Sequence, residues 1–483
     1  MPAHNPEYDA VIVGSGPNGL SAAVRLSQEG LKVLVLEAKP TIGGGTRTQE
    51  ITEPGFLHDI CAAVLPTTAG SPFLNSLNLK KYGLEFIQPD IPYAHPLDDG
   101  DAAVCYRSLE KTAESLGVDH KNYTKLFGEF VNHWKYLSED IFGTLRIPKH
   151  PLLMARFGWY GQFSAKHLGN SLFKSDKTKA LFAGCAAHSI IPLEKAFSAS
   201  FGLVLGSSAH SVGWPIAKGG SASVTNALAA LLEEQGGKIQ TNVEVKSLAD
   251  IPSSKTILFD LTPHQIVDIA GDQLPKNYRD KLRRYEYGPG AFKVDWALSE
   301  PVPWQNEECR KAGTLHLGGI FSEIAEGEKA VWEGRHHDKP YVLLSQPSLF
   351  DDTRAPEGKH TLWAYCHVPN GSTKDMTDII ENQIERFAPG FKDIIISKKT
   401  ITAEGFEQYN PNYVGGDING GAQFFKQLFG RPVLKWDPYK IPGNGLYICS
   451  SSTPPGGGVH GMCGYNAAQS VLKNEFGISS DKS

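Results

Sequence analysis

The sequence predicts an α/β protein built around a three-layer, doubly wound parallel sheet, and three observations predict it. The apolar run Asp9-Ala10-Val11-Ile12-Val13 enters the glycine-rich turn GSGPNG. A stretch with helical apolar spacing through Leu20, Ala23 and Leu26 follows and stops at Gly30. A second apolar run, LKVLVLE, then ends on Glu37. Buried parallel strands read as continuous β-rich apolar runs, and strand, helix, strand in this order is the repeating unit of such sheets.

The remaining elements follow in order. Residues 108–205 read as mainly helical, with aromatic and apolar faces, and form a separate helical layer. Within it LLMARFGWYGQF (152–163) reads as core packing, with a lipid entrance as the alternative. ASVTNALAALLEEQGGKIQTNVEVKSL reads as helix, Gly-Gly turn and strand, and TILFDLTP and FKVDWALS each add a strand. From about 314 to 370 strands dominate (YVLLSQPS, TLWAYCHV), with turns at Asp351-Asp352 and Asn370-Gly371. DMTDIIENQIERFAP is an amphipathic helix stopped by Pro389, because proline cannot continue the ladder. The C-terminus returns to strand, glycine loop and helix in GLYICSSSTPPGGGVHGMCGYNAA. No repeat and no linker-like tract interrupts the chain, so domain boundaries fall inside interleaved segments.

Composition narrows the class. A chain of 483 residues with 41% hydrophobic and 20% charged residues is neither disordered nor a coiled coil, and its length suits two or three domains. Fifty glycines and 31 prolines without a G-X-Y period exclude collagen. Forty-seven basic against 52 acidic side chains, with no basic stripe, argue against a nucleic-acid partner. The densest basic cluster, Lys281, Arg283 and Arg284, reads as the solvated face of a short helix. Seven cysteines, an odd number without C-x-x-C spacing, exclude a disulfide framework and a zinc ribbon and suit a reducing compartment. No metal site is expected. The polar start MPAHNPEY lacks the marks of an export or organelle signal, and no apolar stretch is long enough to span a bilayer. The expectation is a cytoplasmic protein without a transmembrane segment, with peripheral membrane contact left open.

The glycines carry the first chemistry. In G-x-G-x-x-G, Gly14 permits the tight turn, Gly16 lets a pyrophosphate approach the backbone, and Gly19 lets helix and strand pack closely. With Ser15, Pro17 and Asn18 these residues open a helix whose free N–H groups and dipole suit phosphates. Glu37, 37 − 16 = 21 residues after Gly16, is placed to accept from ribose hydroxyls. A second glycine cluster follows at once in AKPTIGGGTRT, making Gly44, Thr46 and Arg47 candidate contacts. A bare NAD fold has no use for a second phosphate-approach loop there, whereas FAD must be threaded past the domain. The C-terminal TPPGGGVHGM adds Pro455, Gly457, Gly458, Gly461 and Met462, with a helix start aimed at the flavin edge where charge collects on reduction. Val245 joins the candidate cofactor contacts, and His460, inside the same loop, is a candidate catalytic group.

At this point the chain resembles the phytoene dehydrogenase-related flavoproteins, a branch of the FAD-dependent amine oxidase and carotenoid desaturase superfamily. DAVIVGSGPNGL, LEAKPTIGGGTRT, YEYGPGAFKVDWALSEPVPW and GLYICSSSTPPGGGVHGMCGYNAA carry the resemblance over essentially the full length. It implies a Rossmann-like FAD-binding domain interleaved with a mixed β-sheet and helical substrate domain, and noncovalent FAD. The expected division is 1–75, 206–270 and 425–483 for FAD, against 76–205 and 271–424 for substrate. Gly45 stands where many relatives carry Arg, and Arg47 is the candidate replacement. By the same resemblance Lys293 is a catalytic candidate against flavin N5, the alternative being a strand lysine reaching solvent.

His58, His188, His210, His316, His360 and His367 read as structural histidines, and His336-His337 as a surface loop. Trp296 and Trp304 either cage an amine or fill a core. NPNYVGGDINGG (410–421) is either a turn-rich connection or a site wall. A disulfide reductase would need a redox cysteine pair and a second nucleotide fingerprint, and neither occurs. The expected activity is hydride transfer from an apolar, desaturable small molecule to FAD, with oxygen or a quinone as the electron acceptor. The alternatives are amine oxidation, a flavin-dependent isomerase, and a binding protein without turnover.

Overall fold

The computed structural model describes residues 6–144, 146–443 and 445–478. The first five residues of the polar MPAHNPEY start lie outside the described residues. Twelve strands build the two main sheets: β1 (Tyr8–Val13), β2 (Val33–Leu36), β3 (Ile91–Pro96), β4 (Ala102–Cys105), β5 (Lys238–Gln240), β6 (Ser254–Phe259), β7 (Gly290–Leu298), β8 (Ala312–Leu317), β9 (Val342–Ser345), β10 (His360–Val368), β11 (Ile395–Ile401) and β12 (Leu446–Ile448). The first sheet is fully parallel, in the order β12-β6-β1-β2-β5. The second has the order β11-β7-β10-β9-β8-β3-β4 and is antiparallel except where β8 meets β3.

Strand alternation explains the three layers. Ala10 and Ile12 of β1 face the core shared with helix α1 (Pro17–Ser27), while Tyr8, Val11 and Val13 face a separate core closed by Ile266, Tyr278 and Leu282. The second sheet alternates too. Phe292, Val294, Trp296 and Leu298 of β7 pack in an outer core with Ile380 and Ile384 of the helix Thr377–Phe387. Trp304 joins the same core, and the Trp296 indole donates to Glu381 at 2.9 Å. Both tryptophans therefore fill the core. The opposite face of β7 carries Lys293 and Asp295, in register with Tyr365 and Trp363 of β10.

Three expectations change. Residues 314–370 are not all strand, because Phe321–Trp332 is an α-helix. Its buried Phe321, Ile324, Ala325, Glu328 and Val331 have helical spacing, a signal present in the sequence but interrupted by the helix-weakening Gly327. The expected break at 205/206 falls inside the helix Ser198–Ser211. Finally, the helix Pro151–Gly161 is not core packing on every side: Leu152 is 86% and Trp159 63% exposed. Among the described residues no helix is long and apolar enough to cross a membrane.

Candidate functional site

One cavity of about 790 Å³ runs from the end of β1 into the space between the helical layer and the mixed sheet. Gly14, Ser15, Gly16, Pro17, Asn18, Glu37, Gly44, Thr46, Arg47, Val245, Pro455, Gly457, Gly458 and His460 all line it. The sequence-predicted Gly19, Lys293, Gly461 and Met462 do not.

The turn after β1 has the geometry of a phosphate cradle. Gly14 sits at φ +103°, where an L side chain is strained, and a Cβ at Gly19 would stand 2.1 Å from the Gly14 carbonyl oxygen. Gly19 thus acts by close packing and does not face the cavity. At the end of β2, Glu37 Oε2 accepts from the Ser15 N–H at 3.1 Å and the Ser15 hydroxyl at 2.5 Å. Glu37 Oε1 accepts from the Lys39 N–H at 2.9 Å and from Arg47 Nη2 at 3.2 Å. Arg47 also donates to the Thr41 carbonyl at 2.7 Å, so it braces the second glycine loop against Glu37. Position 45 has a direct reason to be glycine, because a Cβ there would lie 2.2 Å from the Tyr413 hydroxyl oxygen.

Sequence reasoning missed Asp260, which follows β6. Its buried carboxylate accepts the Gly19 N–H at 2.9 Å, and a Cβ at Gly16 would lie 2.7 Å from its Oδ2. Burial pushes its pKa up to about 7, and the Glu37 carboxylate adds to the rise. The 410–421 segment is a site wall: Asn410, Pro411, Asn412, Tyr413, Ile418 and Asn419 line the cavity. Asp417 holds the wall's turn by accepting from the Gly288 and Gly421 N–H groups at 2.8 and 2.9 Å.

Two expectations about the C-terminal loop need correction. The helix Met462–Phe476 packs on α1 so tightly that a Cβ at Gly464 would meet the Asn18 carbonyl oxygen at 1.8 Å, and Gly461 lies against Ser21. The Met462 N–H is taken by His460 Nδ1 at 3.0 Å, while His460 Nε2 faces the Gly456 carbonyl at 3.2 Å. Both ring nitrogens of His460 are therefore bound to the loop, and burial lowers its pKa to about 4. That geometry makes His460 a neutral clamp of the glycine loop instead of a free acid or base.

Lys293 neither reaches solvent nor lines the cavity. It is 1% exposed and ion-paired with Asp295, whose other oxygen lies 3.4 Å from His58 Nδ1. Its ammonium stands 5.9 Å from the centre of the Trp363 ring, which does line the cavity. Burial lowers its pKa and Asp295 opposes the fall.

These features fit FAD: a cradle with no room for side chains, a carboxylate at the end of the second strand, and a glycine loop across the same cavity. The fold and site define a flavin-dependent oxidoreductase. The chain belongs to the flavin-containing amine oxidoreductase family, whose family profile matches residues 18–471, and FAD is its cofactor. Within that superfamily it is related to the phytoene dehydrogenases. It is 25% identical to the mouse (Mus musculus) pyridine nucleotide-disulfide oxidoreductase domain-containing protein 2, over 97% of this chain and 94% of that one. It is 24% identical to a 4,4'-diapophytoene desaturase of Staphylococcus haemolyticus, over 93% and 95% of the two chains. An oxidoreductase from Methanosarcina mazei shares the fold with a TM-score of 0.64 at 17% identity, over 96% of this chain and all (100%) of that one.

Proposed function

We propose that the enzyme oxidises a carbon–carbon bond of an apolar, desaturable molecule that enters between the helical layer and the mixed sheet. The observation that carries this reading is the continuity of the cavity. The cradle opens directly into a chamber walled by Phe157, Phe201, Val204, Leu205 and Leu343. Bound FAD supplies the hydride acceptor at flavin N5. The chain's own part is to hold and to dry. Ser15, Gly16 and Glu37 hold the nucleotide half, His460 fixes the glycine loop, and the aromatic and aliphatic wall excludes water from the reacting bond.

Exposed apolar side chains flank the chamber's lining residues on the same two helices. Leu152 and Trp159 belong to the helix that supplies Met154 and Phe157 to the wall, and Phe425 to the helix Phe425–Gly430 that supplies Leu428 and Phe429. Phe197, itself in the wall, stacks on Phe425 at 4.9 Å between ring centres. This apolar rim supports an apolar substrate and peripheral contact with a lipid surface. The desaturase named above points the same way. Oxygen or a quinone is the proposed electron acceptor. The cofactor sites are proposed as the cavity-lining residues of the cradle, the second glycine loop and the C-terminal loop.

A second reading, oxidation of a C–N bond, is favoured by the aromatic pair Trp363 and Tyr365, set edge to face with centres 5.3 Å apart on the cavity wall. Anaerobic mixing of the FAD-loaded enzyme with polyenes, acyl compounds and amines separates the two. Loss of oxidised-flavin absorbance with polyenes or acyl compounds supports carbon–carbon oxidation. Bleaching by amines alone overturns it.

A further inference from the structure

Four lysine and arginine side chains are buried among the described residues, and three of them are matched by a carboxylate. Arg47 is ion-paired with Glu37, Lys293 with Asp295 and Arg354 with Asp59. Arg431 is the fourth, 0% exposed, and among the described residues it has no ion pair. A guanidinium cannot shed its proton, and a buried charge without a counter-ion is costly. Such a charge needs a reason.

The hydrogen-bond partners of Arg431 are all neutral oxygens. Nη1 donates to Gln423 Oε1 at 2.8 Å, and Nη2 to the Gly420 and Gly421 carbonyl oxygens at 3.3 and 3.1 Å. Nε and Nη2 also donate to the Tyr285 hydroxyl oxygen at 3.2 and 3.0 Å. Asp417 stands behind one peptide of this cage: the Gly421 N–H donates to it, while the Gly421 carbonyl accepts from Arg431. Burial raises the Asp417 pKa and Arg431 opposes the rise, so the two groups act on each other through space.

The other side of the cage is the cofactor cavity. A Cβ at Gly456 would lie 2.9 Å from Arg431 Nη1, so the C-terminal glycine loop passes directly over the guanidinium. Pro454, Pro455, Gly457 and Gly458 of that loop line the cavity, and so does Gln423. An arginine only donates, so the Gln423 atom at Nη1 is the oxygen and the NH2 group points away from Arg431. That NH2 group has no partner among the described residues and is not sealed from solvent, so it opens on the cavity.

The loop's own groups do not supply a full charge. The Met462 N–H that starts the C-terminal helix is taken by His460 Nδ1, and His460 is neutral. Arg431 is the cation behind the loop, and the Gln423 amide polarised by it is the donor that reaches the cavity.

We propose that Arg431 and Gln423 form a charge-stabilising pair for the flavin ring, the amide donating to its polar edge and the guanidinium favouring the negative charge gained on reduction. The inference rests on the C-terminal glycine loop being part of the cofactor site, and it does not depend on which substrate is oxidised.

The test uses the full-length, FAD-loaded protein and three readouts. These are the two-electron midpoint potential from dye-linked reduction, the dissociation constant for sulfite, and FAD affinity by apoprotein titration. Sulfite adds to oxidised flavin and leaves a negative charge on the ring, so it reports the same field without a substrate. Arg431→Met keeps an apolar stem and deletes the charge. It is expected to weaken reduced relative to oxidised flavin by about 10- to 100-fold, a fall of about 30–60 mV. Sulfite affinity should fall by the same factor, and Arg431→Lys should recover part of both. Gln423→Leu keeps the cation and removes the donor, with an expected loss of about three- to tenfold in each.

Unshifted potential and sulfite affinity in Arg431→Met with FAD bound overturn the pair. A fall in FAD affinity alone also overturns it and assigns the cation to the pyrophosphate. If Arg431→Met folds poorly or loses FAD, Gln423→Leu is read on the same two values: a loss of about threefold or more supports the pair, and unchanged values overturn it. Weakened FAD binding in Glu37→Ala beside silent Arg431 and Gln423 variants overturns the pair and leaves the cradle standing. Silence of all three overturns both.

Discussion

The carboxylate of Asp260 accepts the backbone N–H of Gly19 across 241 positions of sequence, which sets a buried acid at the helix N-terminus proposed to cradle the cofactor phosphates. A negative group there competes with a pyrophosphate for the same N–H groups and the same dipole.

Asp260 should make FAD binding depend on pH. Its pKa is raised from the ordinary 3.8 to about 7, so its contribution to stability is present below the ordinary value and lost as pH rises through about 7. The neutral acid also removes a charge beside the phosphates. FAD affinity is therefore expected to tighten as pH falls from 8 to 6, by about tenfold, the equivalent of one pKa unit. Asp260→Asn should flatten that profile in an apoprotein titration. A wild-type profile already flat across this range would separate Asp260 from the phosphates.

Glu37→Ala should weaken FAD binding by about 10- to 100-fold, the worth of a hydrogen bond to a charged group. It also releases Arg47 and Ser15, so Glu37→Gln, which keeps one acceptor, should lose less. Unchanged affinity in Glu37→Ala would remove the carboxylate from the ribose site.

Lys293→Met should act first on stability. It leaves Asp295 buried without its lysine, with His58 Nδ1 at 3.4 Å as the remaining neighbour, a loss on the order of 3–5 kcal/mol in denaturant unfolding. Adding Asp295→Leu should recover part of it. Because Lys293 stands behind Trp363 and not on the cavity, reduction per bound flavin should slow by less than about tenfold. A fall of about 10²-fold with stability intact would return Lys293 to a direct role at the flavin.

The apolar rim should bind lipid. Replacing Trp159 and Phe425, 63% and 57% exposed, by Ser should weaken binding to phosphatidylglycerol–phosphatidylcholine vesicles by about tenfold or more, given the worth of burying one large apolar side chain. Flotation of the protein with vesicles measures it, and equal flotation of both forms would refute lipid contact at this rim.

Acid precipitation should release the flavin into the supernatant. Cys61 is the cysteine that lines the cavity, and burial raises its thiol pKa, which disfavours the nucleophilic thiolate. Flavin retained in the denatured pellet would establish a covalent link instead.

What the sequence determined by itself is what acts over short distances along the chain. GSGPNG was legible because Gly14 and Gly19 meet within one turn of helix, and the clash that demands glycine is written in adjacent positions. The parallel sheet was legible because LKVLVLE is apolar on both faces. The amphipathic helix before Pro389 was legible because its period and its stop are local. Tertiary structure decided everything that depends on which distant segment arrives opposite. It brought Asp260 to the N-terminus of α1, Tyr413 against Gly45 and Asp295 opposite Trp363 across the strand pair. It turned His460 inward onto its own loop, and it left Leu152 and Trp159 uncovered. In each case the residue type permitted two environments, buried or solvated, paired or free. The choice rests on burial and on the partner across the gap, which chain order does not encode at short range.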